Sequence, residues 1–154
     1  MKPETFFKYL QDQVTHRPII DYKLAANSLL IYVGCNQGDN NEEYIFWLEP
    51  TWNFVGTERV FTGSRQAQED EDEDDPQIGF NAAAAALNAL QGCTIESVAI
   101  EPITFSLVLY LSKGYMIRTF VSDPTDDLAW YIKENSTRIK LKGSPSGLEI
   151  VQKH

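Results

Sequence analysis

The sequence predicts an α+β fold, either one twisted antiparallel β-sheet or a two-layer sandwich, with an N-terminal helix and a central alanine-rich helix packed on it. Three observations predict it. Phe6, Leu10 and Val14 recur at helical spacing near the start of the chain. Segment 80–90 is dominated by alanine, the residue with the best helix propensity. Most other apolar stretches are short, rich in β-branched and aromatic residues, and bounded by turn formers.

The elements follow in order. Over 3–15, Pro3 suits a first-turn position, Glu4 favours the positive end of the helix dipole, and Phe7 widens the apolar stripe. Pro18 forbids continuation. Residues 19–24 read as a first strand, 28–35 (SLLIYVGC) as a second and 43–48 (EYIFWL) as a third, with a dense turn signal at 36–41 between the last two. Segments 52–55 and 59–62 read as strand pieces around Gly56, Thr57 and Glu58, joined by a bend or bulge. Residues 64–77 form a polar surface loop closed by Pro76. The alanine-rich helix then runs over 80–90, with Phe80, Ala83, Leu87 and Leu90 on one face and Gly92 as its left-handed cap. Strands at 95–100, 104–111, 115–121, 128–133, 138–141 and 148–151 complete an antiparallel meander, because their links are short. In 104–111, Phe105, Leu107, Leu109 and Leu111 share one apolar face.

At 154 residues, with 43% apolar and 12% aromatic residues, the chain is expected to fold as one domain over 1–154 with a real core. The formal net charge is -9, and one run of seven acids supplies most of it: Glu69, Asp70, Glu71, Asp72, Glu73, Asp74 and Asp75. The remainder is close to balanced. That balance argues against nucleic acid, which needs clustered Lys and Arg, and against an anionic membrane surface. The start MKPETFFKYL lacks a signal-peptide pattern and no segment approaches a membrane span, so a cytoplasmic location is expected. Cys35 and Cys93 have no metal-ligand spacing and read as reduced thiols.

The acidic run cannot enter a core, since burying even one unpaired carboxylate costs several kcal/mol, roughly. It belongs in solvent or against a positive partner. The run lacks the alternating oxygen ligands and central glycine of an EF-hand, so no metal site is expected. Asp123, Asp126 and Asp127 crowd a Pro-Thr turn and read as local backbone caps. His16 ends the first helix and His154 is the last residue, which leaves little material for His-based catalysis or zinc ligation. No glycine pattern fits a phosphate loop, and Gly143 to Gly147 reads as a hairpin turn, so no cofactor is expected. Trp47, Trp52 and Trp130 lie in strand-like segments. Core packing is the default reading for all three; the polar neighbours of Trp52 and Trp130 offer the alternative of an exposed sheet surface where either anchors a partner.

The series Leu87-x-x-Leu90-x-Gly92-x-x-Ile95, then Leu109, Gly114, Asp126 and Trp130, resembles small single-domain bacterial proteins encoded beside polymorphic toxins and regarded as their immunity proteins. The likeness covers under a third of the chain and consists of packing residues, so no functional residue is carried over from it. The acidic run is not part of that pattern. The resemblance implies an immunity protein, not an enzyme. It would neutralise a cationic toxin, such as a nuclease, with the run 69–75 supplying charge and Trp52 or Trp130 an anchor. The alternatives are a regulatory or structural interaction domain without a toxin partner, and an enzyme whose carboxylates converge only in the fold.

Overall fold

The structure, a computed structural model, describes residues 1–35, 41–121 and 123–152. The turn expected at 36–41 lies outside the described residues except for Asn41, and His154 lies outside them too. In chain order the elements are α1 (Pro3–Val14), β1 (Ile19–Ala25), β2 (Ser28–Val33), β3 (Tyr44–Leu48), β4 (Trp52–Val55), β5 (Val60–Gly63) and α2 (Ser64–Ala67). They continue with α3 (Ile78–Leu87), β6 (Ile95–Ile100), β7 (Leu107–Leu111), β8 (Met116–Thr119), β9 (Trp130–Glu134), β10 (Ile139–Ser144) and β11 (Gly147–Gln152).

The predicted class holds: the fold is α+β, with two antiparallel sheets that do not close into a barrel. One sheet has the order β1-β2-β3-β9-β10-β11 and the other β5-β4-β8-β7-β6. The chain changes sheet after β3 and returns after β8. Local links make the hairpins, but the β3–β9 pair joins Phe46 to Ile132 across more than half the sequence.

The expected apolar stripe of α1 is buried, with Phe6, Leu10 and Val14 each under 5% exposed. Each such burial is worth about 1.5–3 kcal/mol. After α1, His16 takes a left-handed φ of 69° and its N–H donates to Ile95 O at 2.6 Å, which ties the helix exit to β6. The two sheets share one core. Leu29, Ile31, Phe46, Leu48, Trp130 and Ile132 come from the six-stranded sheet, and Trp52, Phe54, Leu107, Leu109 and Ile117 from the five-stranded one. Helix α3 lies against α2 and β5, with Ala83 and Leu87 buried.

Several boundaries shift from the sequence expectation, and three of the shifts have a visible local setting. The loop expected over 64–77 starts with the helical turn α2. There Ser64 Oγ accepts the Trp52 N–H at 3.1 Å and Thr62 Oγ1 donates to Gln66 Oε1 at 2.6 Å. The alanine-rich helix starts at Ile78 and tightens into a 3-10 turn at Asn88–Leu90, before Gly92 with its left-handed φ of 84°. Strand β7 begins at Leu107 rather than 104. The Glu101 carboxylate collects the N–H groups of Ile103 and Thr104 and the Thr104 hydroxyl, and Phe105 turns left-handed at φ 59°. Phe105 therefore leaves the apolar face that Leu107, Leu109 and Leu111 share.

Among the described residues no helix is long and apolar enough to cross a membrane.

Candidate functional site

The acidic run stands outside the core, and all seven of its side chains are exposed. It is not a limp excursion. The Asp70 N–H donates to Pro76 O at 3.2 Å, and the Gln77 side-chain amide donates to the Glu69 carboxylate, so the stem of the loop is closed. Inside it, Asp70 Oδ1 accepts the Asp72 N–H at 3.0 Å and Asp75 Oδ1 accepts the Gln77 N–H at 3.1 Å. These aspartates supply local caps of the kind their short side chains favour. Glu71, Asp72, Glu73 and Asp74 accept no protein hydrogen bond through their carboxylates among the described residues.

No lysine or arginine among the described residues pairs with this loop. Among the described residues the ion pairs are Lys8–Asp12 at 3.0 Å and Arg17–Glu43 at 2.8 Å, both elsewhere. Arg65 lines the same shallow hollow as Asp70, Glu73 and Ile78 without pairing to either acid. Seven like charges within one short loop therefore face solvent together. Ile78, the first residue of α3 and 59% exposed, sits directly beside them. A second cavity of about 580 Å³ on the other flank is lined by Asn27, Gln68, Glu69, Gln77 and Phe80.

Trp52 and Trp130 do not anchor anything outside the fold. They are 1% and 0% exposed, the largest wholly buried side chains of the core. Trp52 Nε1–H donates to Asn27 O and Trp130 Nε1–H to Phe105 O, each at 2.7 Å. The polar residues beside them in sequence point to the opposite sheet face, as a period of two requires. The partly exposed tryptophan is Trp47, which stacks on Tyr131 with centroids 5.7 Å apart. The alternation of EYIFWL carried that signal, since Tyr44, Phe46 and Leu48 take the buried face and leave Trp47 the other.

The turn at 123–127 behaves as a backbone cap. Asp123 Oδ1 accepts from the Thr125 hydroxyl at 2.6 Å and the Thr125 N–H at 2.9 Å, which holds its carboxyl below the ordinary range. Asp123, Asp126 and Asp127 are all exposed. Among the described residues no group of three or more His, Cys, Asp or Glu side chains is arranged to hold a metal ion. Neither Cys35 nor Cys93 forms a disulfide.

A buried carboxylate that the sequence did not mark lies on β9. Glu134, 5% exposed, accepts from Tyr9 Oη at 2.6 Å, Tyr44 Oη at 3.3 Å and Thr137 Oγ1 at 2.8 Å. Its hydrogen bond and burial push the Tyr9 phenol up, and burial with the charges of Tyr9 and Glu134 pushes Tyr44 up much further. Both carboxylate oxygens are engaged by hydroxyl donors, so Glu134 ties α1 to β9 and β3. No sequence signal announces it, because Tyr9 and Glu134 lie 125 positions apart.

No family model, no curated protein and no solved structure matches this chain.

Proposed function

We propose that the protein is an acidic binding module of the immunity type, which neutralises a cationic toxin domain by occupying the surface where that toxin holds its own anionic substrate. The observation that carries this reading is the run 69–75: seven exposed carboxylates on a closed loop, with no ion pair to a lysine or arginine among the described residues. Concentrated charge of this kind raises association rates by about ten- to a thousand-fold and loses that gain in salt. Ile78 takes the place of the buried tryptophans as the apolar contact beside the charge. An exposed aliphatic residue next to a dense charge suits an interface in which a small apolar centre is ringed by polar contacts. Blocking is steric and electrostatic, and no bond is made or broken. The resemblance of the 87–130 packing pattern to immunity proteins supports the same reading.

A pull-down from the native host at low and high salt tests it, run with the wild type and with 69–75 replaced by Gly/Ser. The expected result is a basic protein retained by the wild type at low salt, and lost at high salt or with the replaced loop. That protein should arrest growth when expressed alone and be silenced when co-expressed with the wild type. Capture that ignores both salt and the loop replacement removes the run from the mechanism.

A further inference from the structure

Each sheet ends in two strands with one side unpaired: β1 and β11 in the six-stranded sheet, β5 and β6 in the five-stranded one. Such edges present free N–H and C=O groups to any other strand, and β-bulges are one of the devices that turn them away. Three of the four carry one. The register slips past Ile20 on β1, past Phe61 on β5 and past Glu96 on β6, and each extra residue stands on the edge strand itself. Strand β11 has no slip. Its six residues, Gly147 to Gln152, pair with β10 in unbroken register, contain no proline and carry one charged side chain, Glu149.

The turn fixes which backbone groups β11 leaves free. Only Pro145 and Ser146 separate the paired residues Ser144 and Gly147, so that pair exchanges both of its hydrogen bonds. Alternation then commits the groups of Gly147, Glu149 and Val151 to β10 and directs those of Leu148, Ile150 and Gln152 away from the sheet. Helix α1 packs against β10 and β11, but among the described residues these three make no hydrogen bond to it or to any other element. The side chains of Leu148 and Ile150 pack against the core and are only partly covered.

We propose that β11 is a strand-addition site whose occupant is β11 of a second copy, paired antiparallel about a two-fold axis at Ile150. In that register Ile150 meets its own counterpart and Leu148 meets Gln152 on either side, so every free donor and acceptor gains a partner. Charge selects this register over its neighbour. A two-fold centred one residue earlier would set Glu149 against its counterpart, and like charges directly opposite are destabilising, whereas here Glu149 faces Val151. The same six residues thus supply length, alternation and hydrogen-bond pattern for both halves of the contact. It is isologous and uses up the edge, so assembly closes at two copies, and the joined sheet ends at each side in the bulged β1.

Sedimentation velocity and hydrogen exchange on the full chain test this, whatever becomes of the proposed function. Wild type should show a monomer–dimer equilibrium and nothing larger. Salt should favour the dimer, because two chains of net charge -9 repel; a complex held by the acidic run loses affinity in salt instead. In the dimer the amides of Leu148, Ile150 and Gln152 should be protected along with those of Glu149 and Val151. Val151→Glu should loosen the dimer and Val151→Lys tighten it, each by about 2- to 30-fold at one salt concentration, since every dimer holds two pairs of residue 151 with Glu149. Effects on fold stability alone would run the other way, as residue 151 faces Lys140 within the chain. Ile150→Pro, which removes an N–H that β10 does not use, should fold and be monomeric. A wild type that stays monomeric at high salt overturns the inference. So does a dimer whose Leu148, Ile150 and Gln152 amides exchange freely, or one indifferent to both Val151 substitutions.

Discussion

At the scale of single residues, the two buried tryptophans hold separate pieces of chain together. Trp52 hydrogen-bonds the turn between β1 and β2, and Trp130 the bend at Phe105 ahead of β7. Trp130→Ala should cost about 3–5 kcal/mol of unfolding free energy, read by urea denaturation. Gly143 lies directly against the Trp130 indole, where a Cβ would overlap the ring. Gly143→Ala should therefore destabilise by about 1–3 kcal/mol through overpacking, without any charge or turn effect. Neighbouring residues in sequence misled the reading of these tryptophans. Asn53 and Tyr131 are polar or amphipathic, yet in a strand they describe the face opposite the tryptophan beside them. Tyr44 gives a pH prediction. Burial raises its phenol in the folded state, so the native protein keeps a proton that the unfolded chain releases near the ordinary tyrosine value of about 10. The stabilisation is complete below that pH and declines as pH rises toward the folded value. The slope is about 1.4 kcal/mol per pH unit for one tyrosine. Alkaline unfolding curves for wild type and Tyr44→Phe should differ by that slope; equal slopes would show that Tyr44 titrates normally.

At the scale of elements, local signals were enough wherever a segment forms its structure from its own neighbours. The α1 stripe, the hairpins β2–β3 and β10–β11, and the left-handed Gly92 all follow from short-range patterning, whereas the bulge expected around Gly56 to Glu58 falls between Phe54 and Val55, within the β4–β5 pairing. What was not legible depends on partners distant in sequence. Helical turn α2 has Ser64 accepting the Trp52 N–H from twelve residues away. The late start of β7 is a local effect that the apolar alternation hid: Glu101 gathers the N–H and hydroxyl of Thr104, three residues on. All seven acids of the loop are exposed. Replacing 69–75 by Gly/Ser should leave stability within about 0.5 kcal/mol of the wild type, since surface changes away from packed features usually do. By contrast Leu10→Ala, in the buried stripe of α1, should cost about 2–5 kcal/mol. Thermal or chemical denaturation of both variants checks this contrast. A loop replacement as damaging as the helix variant would mean that the acids hold the fold together.

At the scale of the whole molecule, the α+β class was readable from periodicity, but the division into two sheets was not. It rests on β3 pairing with β9, a choice between strands whose individual sequences are equally good neighbours for several partners. The candidate site was half legible. Seven consecutive acids with no room in a core must face outward, and they do, whereas Trp52 and Trp130, expected at an exposed surface, are buried in the core. Negative charge is concentrated at the loop between α2 and α3, while Lys133, Lys140 and Lys142 share their sheet face with Glu49 and Glu149. The central claim is that the run exists for a positive counterpart, and the rate of association with the basic protein captured from the host tests it most directly. Replacement of 69–75 by Gly/Ser should lower that rate by about ten- to a thousand-fold at low salt, with the dissociation rate little changed and the difference vanishing at high salt. An association rate that is the same for both chains at every salt concentration would contradict it.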